Sequence, residues 1–181
     1  SPIIARYLDD VPAVAISFWR MGFGALILWI ISVIKKQPPL SYENRNKTIM
    51  AGIFLGIHFA LFFGAIKLTT IANATFLGTL APLFTFFIEK FFLKRKHQTI
   101  LLLGLGLAIT GAMIIVGNQF DFSSDFTLGN LLAIACSLFM GMAFIISEEI
   151  RKTVGTISYS RTLFLTAAVT LLGIAFFTNS P

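Results

Sequence analysis

AGIFLGIHFALFFGAIKLTTIANATFLGTLAPLFTFFIEKFFL, residues Ala51 to Leu93, decides the architecture of this chain. It reads as two apolar helices joined by a very short polar turn at Lys67–Thr69, each long enough to cross a bilayer. Gly52, Gly56, Ala60 and Gly64 recur every fourth position in the first helix, and Ala74, Gly78, Ala81 and Thr85 form a similar stripe in the second. Stripes of this kind let helix backbones approach closely in lipid, so they predict a tight bundle rather than a ligand site. Pro82 lies deep in the second helix. It removes one backbone hydrogen bond, which predicts a kink, an exposed carbonyl near Gly78 and a hinge.

The remainder of the chain is of the same character. Of its 181 residues, 56% are hydrophobic and only 12% charged, with a mean hydropathy of +0.86. A water-soluble domain of this size needs more charge to cover its surface, so the chain reads as an integral membrane protein. Its net charge of +6 is carried in short runs between apolar segments, which argues against nucleic acid as a partner. Cys136 is the only cysteine, which excludes an intrachain disulfide and a cysteine metal cluster. The chain starts abruptly at Ser1-Pro2 and stops at Asn179-Ser180-Pro181, as a piece of a longer protein would.

Six segments have the length and apolarity of membrane helices: 12–34, 49–66, 70–93, 99–117, 128–150 and 158–177. The runs are too long and too uniform for strands. Lys35, Lys36, Arg45 and Lys47, then Lys90, Lys94, Arg95 and Lys96, then Arg151, Lys152 and Arg161 all fall on one side of the resulting topology. The other side holds Arg6, offset by Asp9 and Asp10, and Lys67. The positive-inside rule makes the first side cytoplasmic, and places residues 1–11, the Lys67 turn, the Asp121/Asp125 loop and the C-terminal end outside.

Ile16-Ser17-Phe18-Trp19-Arg20 is echoed by Ile157-Ser158-Tyr159-Ser160-Arg161. Both stretches open an apolar helix, one entering from outside and the other from the cytoplasm, which is the pattern of an inverted-topology repeat. The repeat unit is then five helices. Residues 1–117 form a first unit without its first helix, and residues 128–181 start a second.

Several side chains are candidates for chemistry. Arg20 lies about two turns inside its helix, where a charge must face protein, water or a partner. It reads either as an anion contact lining a cavity or as a structural arginine reaching the headgroups. Arg161 is nearer its helix start, where snorkelling to the cytoplasmic surface is expected. His58 is mid-helix, opposite the Gly52/Gly56 stripe; it is either a hydrogen-bonded packing residue or a proton carrier. Asn73 and Thr75 cap the third helix or line a cavity, and Trp19 and Tyr159, beside the repeated arginines, suit a cavity wall. Glu89, Glu148 and Glu149 stand at cytoplasmic helix ends next to basic residues, where exposed ion pairs contribute little. No His-Glu-x-x-His, Gly-x-Ser-x-Gly or metal-ligand spacing is present, so neither an enzyme nor a metal or cofactor site is expected.

The ordered set of segments resembles a known family. The run Ile53–Pro82, with its HFALFFGAIKLTTIANATFLGTLAPLF core, is similar to the third and fourth helices of EamA-type proteins of the drug/metabolite transporter superfamily. Phe18-Trp19-Arg20 resembles part of their second helix, GLGLAITGAMIIVG from Gly104 their fifth, and GNLLAIACSLFMGMAFIISEEI from Gly129 their sixth. The resemblance implies ten helices as two inverted units and export or exchange of a small metabolite such as an amino acid, a nucleotide derivative or a drug-like compound. One departure stands out: where the family often carries a Glu after its fourth helix, this chain has Arg95, so a contact using that Glu is absent or rebuilt.

The expectation is therefore an all-α integral membrane bundle, part of a ten-helix inverted-repeat fold, acting in the inner membrane as a secondary transporter by alternating access. Its cavity candidates are Trp19, Arg20, His58, Asn73, Thr75 and Tyr159, with Pro82 as hinge. Its expected partners are a small-molecule substrate and the lipid bilayer, with proton coupling and a homodimer left open. A non-transporting scaffold or a channel built on the same bundle is the competing reading.

Overall fold

The computed structural model describes residues 12–96, 99–116 and 127–177, and every regular element among them is helical. The order is α1 (Ala13–Ile34), α2 (Tyr42–Leu68), α3 (Ile71–Gly78) and α4 (Ala81–Phe87), which runs into a wider π-helical turn at Ile88–Phe92. It continues with α5 (Thr99–Val116), α6 (Thr127–Arg151) and α7 (Thr156–Phe177). α1, α2, α6, α7 and the stretch Ile71–Phe92 are long and apolar enough to cross a membrane; α5 is apolar over Thr99–Ile114 but shorter. Large apolar side chains stand exposed on the bundle, including Ile27 and Val33 of α1, Leu103 and Leu107 of α5 and Val169 of α7. A surface this apolar suits lipid and not water. The expectations about residues 1–11, the Asp121/Asp125 loop and the C-terminal end lie outside the described residues.

Two helix boundaries differ from the sequence reading, each for a local reason. α2 begins at Tyr42, seven residues before the expected Ile49, because Ser41 caps it by accepting from the Asn44 amide at 3.3 Å. Lys47 then pairs with Glu43 one turn earlier, at 2.9 Å. The expected single helix over 70–93 is broken at Thr79-Leu80. Pro82 sits in the first turn of α4, where its missing N–H costs nothing, instead of bending a continuous helix. Around the break, Ser137 Oγ of α6 donates to the Leu77 carbonyl, and Thr79 Oγ1 donates to the Phe76 carbonyl at 2.8 Å. α1 ends in a Schellman motif: the Lys36 amide donates to Val33 O at 3.1 Å and the Gln37 amide to Ser32 O at 2.9 Å. Lys36 takes the left-handed conformation there, at φ 47°.

α2 is the central helix, with α6 on one side and α7 on the other; α1 packs on α7, and α3 and α4 on α6. The small-residue stripe explains the close approach. A Cβ on Gly52 would fall 2.6 Å from Thr166 Cβ and 2.9 Å from the Leu163 carbonyl, and one on Gly56 would fall 2.8 Å from Thr170 Cβ. The second stripe packs too: Ala74 and Ala81 are buried, and a Cβ on Gly78 would meet the Phe62 ring at 2.9 Å. Gly104, Ala108 and Gly111 on α5 have a similar small-residue spacing but form no such packing face. Among the described residues nothing lies within 4 Å of a Cβ added at Gly104 or Gly111, and Gly104 and Ala108 are exposed. α5 stands at the edge of the bundle and meets α3 through another part of its surface, where Ala112 packs against the core.

The two helices that carry the echo, α1 and α7, are direct neighbours. Gly24 meets the Phe164 ring near the middle of both, while Ser32 at the end of α1 bonds Arg161 at the start of α7, so they run antiparallel.

Candidate functional site

α1, α2, α6 and α7 line a half-open cavity of about 360 Å³ between them. α1 contributes Arg20 and Met21, α2 Leu55 and Phe59, and α7 Leu163 and Phe164. α6 contributes Met140, Ala143, Phe144 and Ser147. Phe144 and Ser147 also line a more open vestibule of about 490 Å³ at the basic end of the bundle, with Glu148, Arg151, Lys152 and Thr156. The volume is that of a site for a small organic molecule.

The sequence candidates divide sharply. Arg20 lines the cavity, with its guanidinium 5.4 Å from the centre of the Phe59 ring. That contact is a cation–π arrangement and leaves the guanidinium edge available. Tyr159 is buried behind the wall, where its hydroxyl shares a hydrogen bond with Ser147 Oγ, so it reaches the cavity only through that serine. Trp19 is 59% exposed, stacks on Phe23 at 5.5 Å and does not line the cavity. Thr75 is exposed and also lies away from it. Pro82 borders two smaller clefts of about 200 and 220 Å³ beside α5.

His58 faces α6, on the side of α2 opposite Gly52 and Gly56. It is buried, its Nδ1 donates to the Cys136 carbonyl at 2.8 Å, and its ring lies 6.0 Å from that of Phe62 in a stacked arrangement. It cross-links two helices and does not line the cavity. Asn73 is fully buried in a polar cluster at the lysine-poor end. Its Nδ2 donates to Asn130 Oδ1 at 3.0 Å and to Thr69 Oγ1 at 3.3 Å, and Thr69 Oγ1 donates to Asn130 Oδ1 at 2.7 Å. The cap of α3 is Thr70, whose hydroxyl accepts from the Asn73 amide at 3.0 Å.

Arg161 overturns the snorkelling expectation. It is 9% exposed, bonds Ser32 Oγ, donates from Nη2 to the Pro38 carbonyl at 3.1 Å and lies 4.8 Å from the Trp29 ring centre. The physical reason is the neighbour: α1 and the loop after it close over the start of α7 and supply acceptors before the side chain can reach a headgroup. At the same end Lys47 bridges Glu43 and Glu149, each at 2.9 Å. Arg95 bridges Glu89 at 2.6 Å and Glu148 at 3.0 Å. Arg95 thus makes the helix-end contact with two carboxylates.

Sequence reasoning missed Ser147, Met140, Phe59 and Phe164 as cavity residues, because nothing in an apolar helix marks which face a cavity occupies. Asn130 and Thr69 were findable: two intramembrane polar groups near the same end of neighbouring spans are natural partners for Asn73.

Comparison with known proteins gives the chain its place. The EamA-like transporter family model matches residues 1–117. The uncharacterized transporter YyaM of Bacillus subtilis (strain 168) is 25% identical over 170 residues, covering 90% of this chain and 55% of that protein. Solute carrier family 35 member G1 of Homo sapiens is 25% identical over 186 residues, covering 95% of this chain and 51% of that protein. The chain thus spans about half the length of these relatives. A solved crystal structure superposes with a TM-score of 0.74 over 96% of this chain and 61% of its own, at 18% identity, which speaks to the fold alone. With a family match over more than half of its residues and an all-helical bundle of membrane-length spans, the chain belongs to the EamA-like transporter family and is a multi-pass membrane protein.

Proposed function

We propose that this protein is a secondary transporter that moves a small metabolite by alternating access through the cavity between α1, α2, α6 and α7. The observation that carries the reading is that cavity itself: among the described residues its wall is apolar but for one cation, Arg20, and Ser147, which it shares with a charged vestibule. A charge at membrane depth is retained where it faces a pathway or a partner. Residues 1–117 act as one repeat unit and residues 128–181 belong to the next, in a ten-helix inverted arrangement. The antiparallel packing of α1 on α7, which carry the echoed Ser-x-x-Arg stretches, supports this. The end bearing Lys47, Arg95 and Arg151 faces the cytoplasm, and the protein resides in the inner membrane.

In this scheme Arg20 contacts the substrate, Ser147 and Tyr159 form the hydroxyl pair at the vestibule junction, and the Thr79-Leu80 break before Pro82 serves as the hinge. His58 and Asn73 hold α2, α3 and α6 together around it. Proteoliposomes containing the full-length protein test the proposal. Saturable uptake with counterflow of a loaded compound is expected. Flux that never saturates, or no flux across amino acids, nucleotide derivatives and organic acids, would overturn it in favour of a channel or a scaffold.

A further inference from the structure

We infer that the cavity takes a small organic anion with an apolar, preferably aromatic, body, and discriminates against zwitterions and organic cations. This rests on the transport site proposed above and names its ligand class. Among the described residues the lining of the cavity contains one charged side chain, the Arg20 guanidinium, and no carboxylate. One face of that guanidinium is taken by Phe59 at 5.4 Å. Its N–H groups form a planar fork suited to a carboxylate or a comparable anionic head. Arg20 is exposed on one side, so the apolar wall beside it strengthens its attraction for an anionic group and its repulsion of a cationic one only in part.

The remaining wall has the opposite chemistry. Met21, Leu55, Met140, Leu163 and the rings of Phe144 and Phe164 offer apolar contact, and Ser147 is the one further polar side chain. Ser147 is already occupied: its Oγ donates to the Ala143 carbonyl and shares a hydrogen bond with Tyr159. An ammonium group entering this cavity would find no carboxylate there and would lie against the Arg20 charge. The vestibule points the same way. It holds Arg151 and Lys152 against Glu148 alone, a net positive mouth that raises the local concentration of anions.

Three compounds sharing a phenyl body and differing in charge test the inference: phenylpyruvate, phenylalanine and phenethylamine. Binding of each to the purified full-length protein is measured directly, and counterflow of each is measured in proteoliposomes. Phenylpyruvate is expected to bind at least tenfold more tightly than the other two. Arg20→Gln is expected to weaken phenylpyruvate binding at least tenfold with an unchanged melting temperature in detergent, and Arg20→Lys to retain part of the preference for the anion. Equal or tighter binding of phenylalanine or phenethylamine, absence of phenylpyruvate binding, or an Arg20→Gln variant with the preference intact would each overturn the inference. The two readings fail separately: counterflow of phenylalanine with no preference for the anion leaves a transporter and removes the anion rule. Charge-selective binding without counterflow of any of the three leaves the anion rule and removes transport.

Discussion

Arg161 shows what a single side chain does when its neighbourhood is protein instead of lipid headgroups. Its guanidinium holds Ser32 Oγ and the Pro38 carbonyl at once and lies over Trp29, so one residue of α7 fixes both the end of α1 and the loop that follows. A lysine offers a compact ammonium on a flexible stem in place of the planar fork that here holds two acceptors in fixed geometry while stacking on an indole. Arg161→Lys should therefore lose about one hydrogen bond to a charged group, roughly 1.5–3 kcal/mol. A melting temperature in detergent indistinguishable from that of the unsubstituted protein would contradict the clamp. Arg20, its counterpart in the echo, has no such enclosure. Counted from the echoed arginines, the positions matching Trp29 and Ser32 near the end of α7 are Thr170, which has no indole, and Gly173, which has no hydroxyl. The same residue type is thus clamped between helices at one place and lines a cavity at the other.

At the scale of elements, small residues act only where a second helix arrives. Gly52 and Gly56 leave room for Thr166 and Thr170 and for the backbone of α7, so a methyl group there forces the helices apart. Gly52→Ala or Gly56→Ala should destabilise by about 1–3 kcal/mol, the range for overfilling a packed interface. Gly104→Ala, in open space on α5, should be neutral or stabilising by up to about 1 kcal/mol through helix propensity alone. Thermal unfolding of the three variants in one detergent checks the contrast; equal losses at Gly104 and Gly52 would show that α5 packs through its glycines. The same reasoning explains Pro82. It would bend a continuous helix, but here a new helix starts at Ala81, and Ser137 of α6 binds the freed end of α3 through the Leu77 carbonyl.

For the whole molecule, charge asymmetry predicts orientation and the single cysteine makes it measurable. Cys136 is fully buried, so an impermeant maleimide should leave the folded protein unlabelled. Arg45 and Lys67 are both exposed and stand at opposite ends of α2. In right-side-out vesicles Lys67→Cys should label and Arg45→Cys should not, with the reverse in inverted vesicles. Labelling of both from one side would overturn the assignment of the basic end to the cytoplasm. The ion pairs of Lys47 and Arg95 tie α2 to α6 and the turn after α4 to α6 at that end. They are largely exposed, so they fix register more than they add stability.

By itself the sequence determined that this is a bundle of membrane helices, and nearly where they lie. A run of about 20 apolar residues has one low-energy arrangement in lipid, and that property is local. It also determined that Gly52 and Gly56 mark a close contact and that Arg20 needs a polar reason for its depth. What only the tertiary structure decided is which residues share a space. His58 and Arg20 look alike in sequence, two polar groups at similar depth, yet one is tied to the Cys136 carbonyl and the other lines a cavity. The difference lies in how the helices are rotated and which neighbour each face receives. In lipid that rotation is set by packing and interhelical hydrogen bonds, with no hydrophobic pattern to declare it.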